Sequence, residues 1–107
     1  MKAVVFIGSS CEDLAAFPRE ARRRAGHELF MVQQGRSPAD FKPFPAVGPG
    51  VCEIRVRDRL GAFRVMYVAT FHDAVYVLHA FQKKTQKTAP ADIELAKRRY
   101  ASLKDRR

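Results

Sequence analysis

Hydrophobic and polar positions alternate with a period that changes repeatedly along the chain. Residues 2–7 (KAVVFI) form a short β-branched and aromatic run, which predicts an opening strand. From Ser10 the period lengthens. Leu14, Phe17, Ala21, Ala25, Leu29 and Val32 recur every three or four positions, the spacing of one buried helical face. Pro18 falls inside that pattern, where it suits a first helical turn and damages an interior, so a short helix followed by a second one is expected. Ser10 with Asp13 three residues on predicts a capping box, and Gly35 a C-terminal stop.

Residues 36–50 carry Pro38, Pro43, Pro45 and Pro49 together with Phe41, Phe44 and Val47, the composition of a loop packed onto the domain. A period of two then takes over. In VCEIRVR (51–57), Cys52, Ile54 and Val56 face one way, and Glu53, Arg55 and Arg57 face solvent or a ligand. In AFRVMYVATF (62–71), Phe63, Val65, Tyr67 and Ala69 alternate with Arg64, Met66 and Val68. AVYVLHAFQ (74–82) is apolar on both faces, as a central strand is. By alternation His79 shares a face with Val77 and Phe81. The closing pattern is helical, with Pro90 in its first turn and a stripe of Ile93, Ala96, Tyr100 and Leu103. Asp92 and Glu94 lie near its positive end, and Lys97, Arg98, Arg99, Lys104, Arg106 and Arg107 toward its negative end, which suits the helix dipole. The order predicts one α+β domain over residues 1–107, with an N-terminal strand and two helices, a three-strand antiparallel meander and a C-terminal helix.

Composition adds a partner class. With 47% hydrophobic residues and eleven Phe and Tyr, the chain can build a single modest core. Twenty Lys and Arg against eleven Asp and Glu leave a net charge of +9, which predicts a polyanionic partner. No apolar run approaches the roughly 20 residues that span a bilayer. The N-terminal apolar run stops at Cys11, Glu12 and Asp13, too short for a signal peptide, so a cytoplasmic protein is expected. Cys11 and Cys52 fit no metal spacing and are expected as free thiols. His27 and His72 have no second ligand nearby in sequence, and no metal or cofactor is implied.

The cations converge. Strands joined by short loops pair as neighbours, so Arg55, Arg57, Arg64 and Lys83 belong to one sheet. Like charges across strands repel, and an anion would complete such a set. Arg55 and Arg57 also fit a plain solvated strand face. Arg64, between Phe63 and Val65, needs either an acid partner, for which Glu53 is at hand, or an anionic ligand. Arg22, Arg23 and Arg24 read as the outer face of a helix. His79 fits a core or rim position as well as a catalytic one. Lys83, Lys84 and Lys87 end the last strand with no acid among them, and Phe81 can pack or stack a base.

The segments GVCEIRVRDRLGAFRVMYV and VYVLHAFQKKTQKTAPADIELAKRRY resemble the RelE superfamily of bacterial toxins, in particular its HigB-like, phage-derived branch. That resemblance implies the RelE-like fold and a metal-independent endoribonuclease, an mRNA interferase that attacks the phosphate with the ribose 2′-hydroxyl on the ribosome. It implies a cognate antitoxin, a helix-turn-helix HigA-like protein in this branch. It places Arg64 at the phosphate, Lys83 and Lys84 in the basic strand-end cluster, and Arg55 and Arg57 among RNA-contacting residues. Gln82 and Lys87 join Phe81 as RNA-binding positions on the same segment. Some relatives use a tyrosine near the start of the final helix, where this chain reads TQKTAPADI, so the general base is open, with Lys83, Lys84 and His79 as candidates. Tyr100 comes late for that role. Two other functions share the pattern: a gyrase poison of the same fold, and a non-enzymatic nucleic-acid-binding module.

Overall fold

The protein's structure, a computed structural model, describes residues 1–106; Arg107 lies outside the described residues. One five-stranded sheet is formed by β1 (Ala3–Phe6), β2 (Phe41–Pro43), β3 (Val51–Asp58), β4 (Gly61–Val68) and β5 (Ala74–Lys83), in the order β1-β5-β4-β3-β2. The helices are α1 (Ser10–Ala15), α2 (Arg19–Gln33), α3 (Pro90–Ala101) and a terminal turn, α4 (Leu103–Arg106). The antiparallel meander β3–β4–β5 is as the alternation predicts. β1 runs parallel to β5, and α1 and α2 lie in the connection between β1 and the rest of the sheet.

β2 is a correction to the expected loop. Phe41, Lys42 and Pro43 pair antiparallel with Ile54, Glu53 and Cys52. Pro43 lacks an N–H, which confines such a strand to an edge, and β2 is the edge. Phe41 is exposed rather than packed, whereas Val47 is buried.

Two layers cover the sheet. Phe17, at the joint between α1 and α2, and Ala21, Ala25, Leu29 and Val32 of α2 lie on Ile54, Val56, Phe63, Val65, Val75 and Val77. On the other face Ala96 and Leu103 pack with Met66, Val68, Tyr76 and Leu78. β5 is therefore buried from both sides, as its unbroken apolar run requires.

The chain breaks near the expected residues, with differences in detail. Pro18 is the N-cap of α2, so the two-helix reading holds. Gly35, at φ +81°, ends α2: its N–H donates to Val32 O at 2.9 Å and that of Arg36 to Met31 O at 3.0 Å. These two bonds make the Schellman closure that a glycine in the left-handed region permits. The expected capping box is absent. Ser9 is the N-cap of α1 and donates to Asp13 Oδ2 at 2.7 Å, while Ser10 is buried and donates to Val77 O at 3.2 Å.

α3 packs on β5 and is fastened at its far end. Arg99 donates through Nη1 to Leu78 O at 2.9 Å and through Nη2 to Ser9 Oγ at 3.0 Å. Tyr100 donates its hydroxyl to Pro49 O at 2.9 Å, and its ring lies so close to Gly48 that a Cβ there would sit 2.5 Å from Tyr100 Cε2. So anchored, α3 leaves the β3–β4 turn end of its face open: Arg57 is exposed there, and Arg55 and Lys83 are half-exposed.

Candidate functional site

Strand register decides which side chains meet on that open area. Arg55 is directly opposite Arg64, Arg64 opposite Phe81, Ala62 opposite Lys83, and Glu53 lies between Lys42 and Met66. Opposed residues share a face, so Lys42, Glu53, Arg55, Arg57, Arg64, Phe81 and Lys83 all project to the same side. Four strands contribute to one basic surface.

At its centre is a buried ion pair. Glu53 is 0% exposed and Arg64 is 4% exposed, with Arg64 Nε 3.6 Å from Glu53 Oε1. Glu53 was expected on an outward face with Arg55 and Arg57; instead the side chains around it close it off from water. Both carboxylate oxygens and Arg64 Nε lack hydrogen bonds among the described residues. Arg64 Nη1 donates to Phe63 O at 3.1 Å. Glu53 thus holds Arg64 by charge and leaves the guanidinium fork free of a bidentate protein partner. A cavity of about 30 Å³ touches Arg64 and is walled by Asp40, Arg55, Val56 and Arg57.

Electrostatics follow from that burial. Desolvation raises the Glu53 pKa above the usual carboxylate value, even though Arg64, Lys42, Lys83 and Arg55 all pull it down. Desolvation lowers the Arg64 pKa, and Arg55 and Arg57 add to this while Glu53 opposes it. Lys83 is lowered below the ordinary lysine value by desolvation and then by Arg64. An anion binding here relieves repulsion that the fold leaves in place.

His79 sits beside this cluster, but not as simple alternation predicts. The pairing shifts between Met66 and Tyr67, so Tyr67 meets Val77 and Met66 meets His79. That irregularity sends Val77 to the α1–α2 side and His79 to the α3 side. His79 Nε2 is 2.7 Å from Asp92 Oδ1, in the first turn of α3. A carboxylate can only accept, so the proton sits on Nε2. Nδ1 is buried and has no partner among the described residues. The imidazole stacks on Phe81 with centroids 4.6 Å apart and planes 22° apart.

Among the residues predicted for the site, the structure brings together Arg55, Arg57, Arg64, Phe81 and Lys83, with His79 adjoining. Gln82 points to the opposite face, where it pairs with Phe63 in register and donates from Nε2 to Leu60 O at 3.0 Å. It steadies the β3–β4 turn. Lys84 and Lys87 lie beyond the strand and are exposed, with the Thr85 hydroxyl donating to Lys87 O. Tyr100 has its hydroxyl committed to Pro49. Lys42 and Asp92 are the members that sequence reading missed. The first hides in a stretch dominated by prolines, where the alternation of Lys42 between Phe41 and Pro43 is the one available signal. Asp92 read as a helix-dipole residue and is also the partner of His79.

Among the described residues no cluster of His, Cys, Asp or Glu could hold a metal ion, and no helix is long and apolar enough to cross a membrane. Cys11 and Cys52 are free.

The fold is thus a small α+β domain with a basic sheet face built around one buried acid–guanidinium pair. The chain belongs to the family of phage-derived Gp49-like proteins (DUF891), a RelE/toxin-like family, with the match spanning residues 12–101. No curated protein matches it.

Proposed function

We propose that this protein is the toxin of a type II toxin–antitoxin pair, of the HigB-like kind, and cleaves mRNA on the ribosome without a metal. One observation carries the reading: Arg64 is fixed by buried Glu53 at the centre of an open face that also presents Arg55, Arg57 and Lys83. In such a cleavage the ribose 2′-oxygen attacks the adjacent phosphorus and the bond to the 5′-oxygen breaks. The products are a 2′,3′-cyclic phosphate and a 5′-hydroxyl. Negative charge grows on the phosphoryl oxygens in between, and a preset guanidinium stabilises it without reorganising.

Two protons must move, one from the 2′-hydroxyl and one to the leaving oxygen. Lys83 is the favoured proton-transfer group, because it lies on the Arg64 face and its pKa is drawn down from the lysine range. His79 is the second choice, because one ring nitrogen is occupied by Asp92 and the other is enclosed. Lys84 contributes attraction from outside the strand. The weakness of this acid–base set is the reason the ribosome is needed: alignment of a bound substrate contributes about 7 kcal/mol in favourable cases.

Mapping of mRNA 5′ ends by primer extension in cells expressing the protein tests this reading. New ends within translated frames, absent when Lys83 is replaced, are expected. Growth arrest with intact mRNA and damaged DNA identifies the gyrase poison instead, and arrest with neither lesion identifies a non-enzymatic binder.

A further inference from the structure

Lys42 belongs to the basic face but not to the proposed cleavage set of Arg64, Lys83 and His79. It sits on the edge strand β2, opposite Glu53, with its ammonium 5.7 Å from the centre of the Phe44 ring. Glu53 is fully enclosed and already paired with Arg64, so it cannot serve Lys42 as an exposed counter-ion. Lys42 has no ion-pair partner among the described residues, and neither has Lys83. Their charges are felt across the site, since Lys42 depresses the Lys83 pKa along with Arg64 and Arg55.

The positions form a row. β2, β3, β4 and β5 are consecutive neighbours about 4.8 Å apart, and Lys42 is level with Glu53 whereas Lys83 is level with Arg57, four residues along β3, so their backbones stand about 20 Å from each other on a diagonal across the sheet. Arg64 and Arg55 occupy the middle. A single phosphate cannot meet both ends of a row that wide, whereas a nucleotide chain crossing the strands can. The cations lie on a sheet face and not along a pairing edge, which favours a crossing polyanion over an acidic peptide added as a strand.

We propose that Lys42 forms a second phosphate subsite, engaging a phosphate next to the one at Arg64 on a single-stranded RNA that crosses β5, β4, β3 and β2. The subsite rests on the ribonuclease reading and extends it, because it sets a minimum substrate length. An RNA with one phosphate fills the centre alone. One with several reaches Lys42 as well.

The test uses 2′-O-methyl RNA, which binds but lacks the attacking hydroxyl: a dinucleotide with a single phosphate and a tetranucleotide with three. Affinities are measured over a range of salt for the wild type, Lys42→Gln and Lys97→Gln. Lys97 lies on the outer face of α3, beside Glu94, and is the control. For the tetranucleotide, Lys42→Gln should flatten the slope of log affinity against log salt by roughly 0.7, the loss of one contact on a single strand. For the dinucleotide it should change nothing, and Lys97→Gln should be silent on both. Equal losses on both lengths, or none on either, overturn the subsite while leaving the ribonuclease reading in place. Failure of the wild type to bind either oligonucleotide removes both. Loss of binding to polyglutamate with RNA affinity intact reassigns Lys42 to an acidic protein partner and overturns the proposal. Lys42 is exposed, and an unchanged melting temperature confirms that the variant folds.

Discussion

Replacing Arg64 by Ala should do two separable things, and the buried pair predicts the size of the first. The change leaves Glu53, with no exposed surface and no hydrogen bond to either oxygen, without its ion-pair partner. Breaking a buried pair from one side costs about 3–5 kcal/mol, a large share of the roughly 5–15 kcal/mol that holds a domain folded. For a chain of this size that is a fall in melting temperature of about 15–25 °C. The cost has a pH signature. Glu53 already has a raised pKa in the folded protein, and removing Arg64, the strongest opposing influence, raises it further. The folded state then binds a proton that the unfolded chain has released, so stability falls as pH rises from the ordinary glutamate value of 4.5 through the folded pKa. The deficit of Arg64→Ala should therefore be small below that value and complete above the folded pKa. Urea unfolding of wild type and variant across that range measures it. A second variant, Arg64→Met with Glu53→Gln, removes both charges and should recover most of the stability while remaining unable to cleave mRNA. An Arg64→Ala protein within about 1 kcal/mol of wild type at all pH values, with no dependence on protonation, would refute this account of how Arg64 is held.

The lysines at the end of β5 should not be equivalent. Lys83→Gln is expected to abolish mRNA cleavage in cells, while Lys84→Gln and Lys87→Gln should each only flatten the salt dependence of RNA binding, by roughly 0.7 units. Arg55 faces Arg64 directly, so Arg55→Ala should leave thermal stability unchanged or raise it by about 0.2–1 kcal/mol, while weakening RNA binding. Gly48→Ala should force Tyr100 off the loop and destabilise by about 1–3 kcal/mol in denaturant titrations. Tyr100→Phe should lose about 0.5–1.5 kcal/mol and keep full cleavage activity, which separates this tyrosine from the chemistry.

Local rules carried much of the architecture. The apolar run of β5, the proline at the start of α2 and the glycine after it each act through a few residues, and each appears where those residues put it. What went unread depends on contacts between distant segments. Alternation correctly put Glu53 on the face of Arg55 and Arg57, but a pattern of twos gives a side and not its cover. Glu53 lies against a neighbour 11 positions away on β4 and beside an edge strand that the sequence hides in a proline-rich stretch. The face of His79 depends on one irregularity in pairing, which nothing in AVYVLHAFQ signals. Lys42 was invisible because prolines argue against a strand, and at a sheet edge that argument fails.

The parallel pairing of β1 with β5 bears on when the proposed toxin could first act. Ala3 meets Ala74 and Phe6 meets Val77, so the first strand made has no partner until the last strand has been synthesised. Contacts so distant in sequence form late and slowly. Arg64 lies on the neighbouring strand, against Phe81, so the cation set also waits for β5. A nascent or truncated chain that ends before β5 lacks the strand that joins β1 to β4 and the Lys83 end of the cation set. On the toxin reading proposed above, activity requires a chain that extends through β5, and a frameshift ahead of Ala74 should silence it as completely as loss of Arg64.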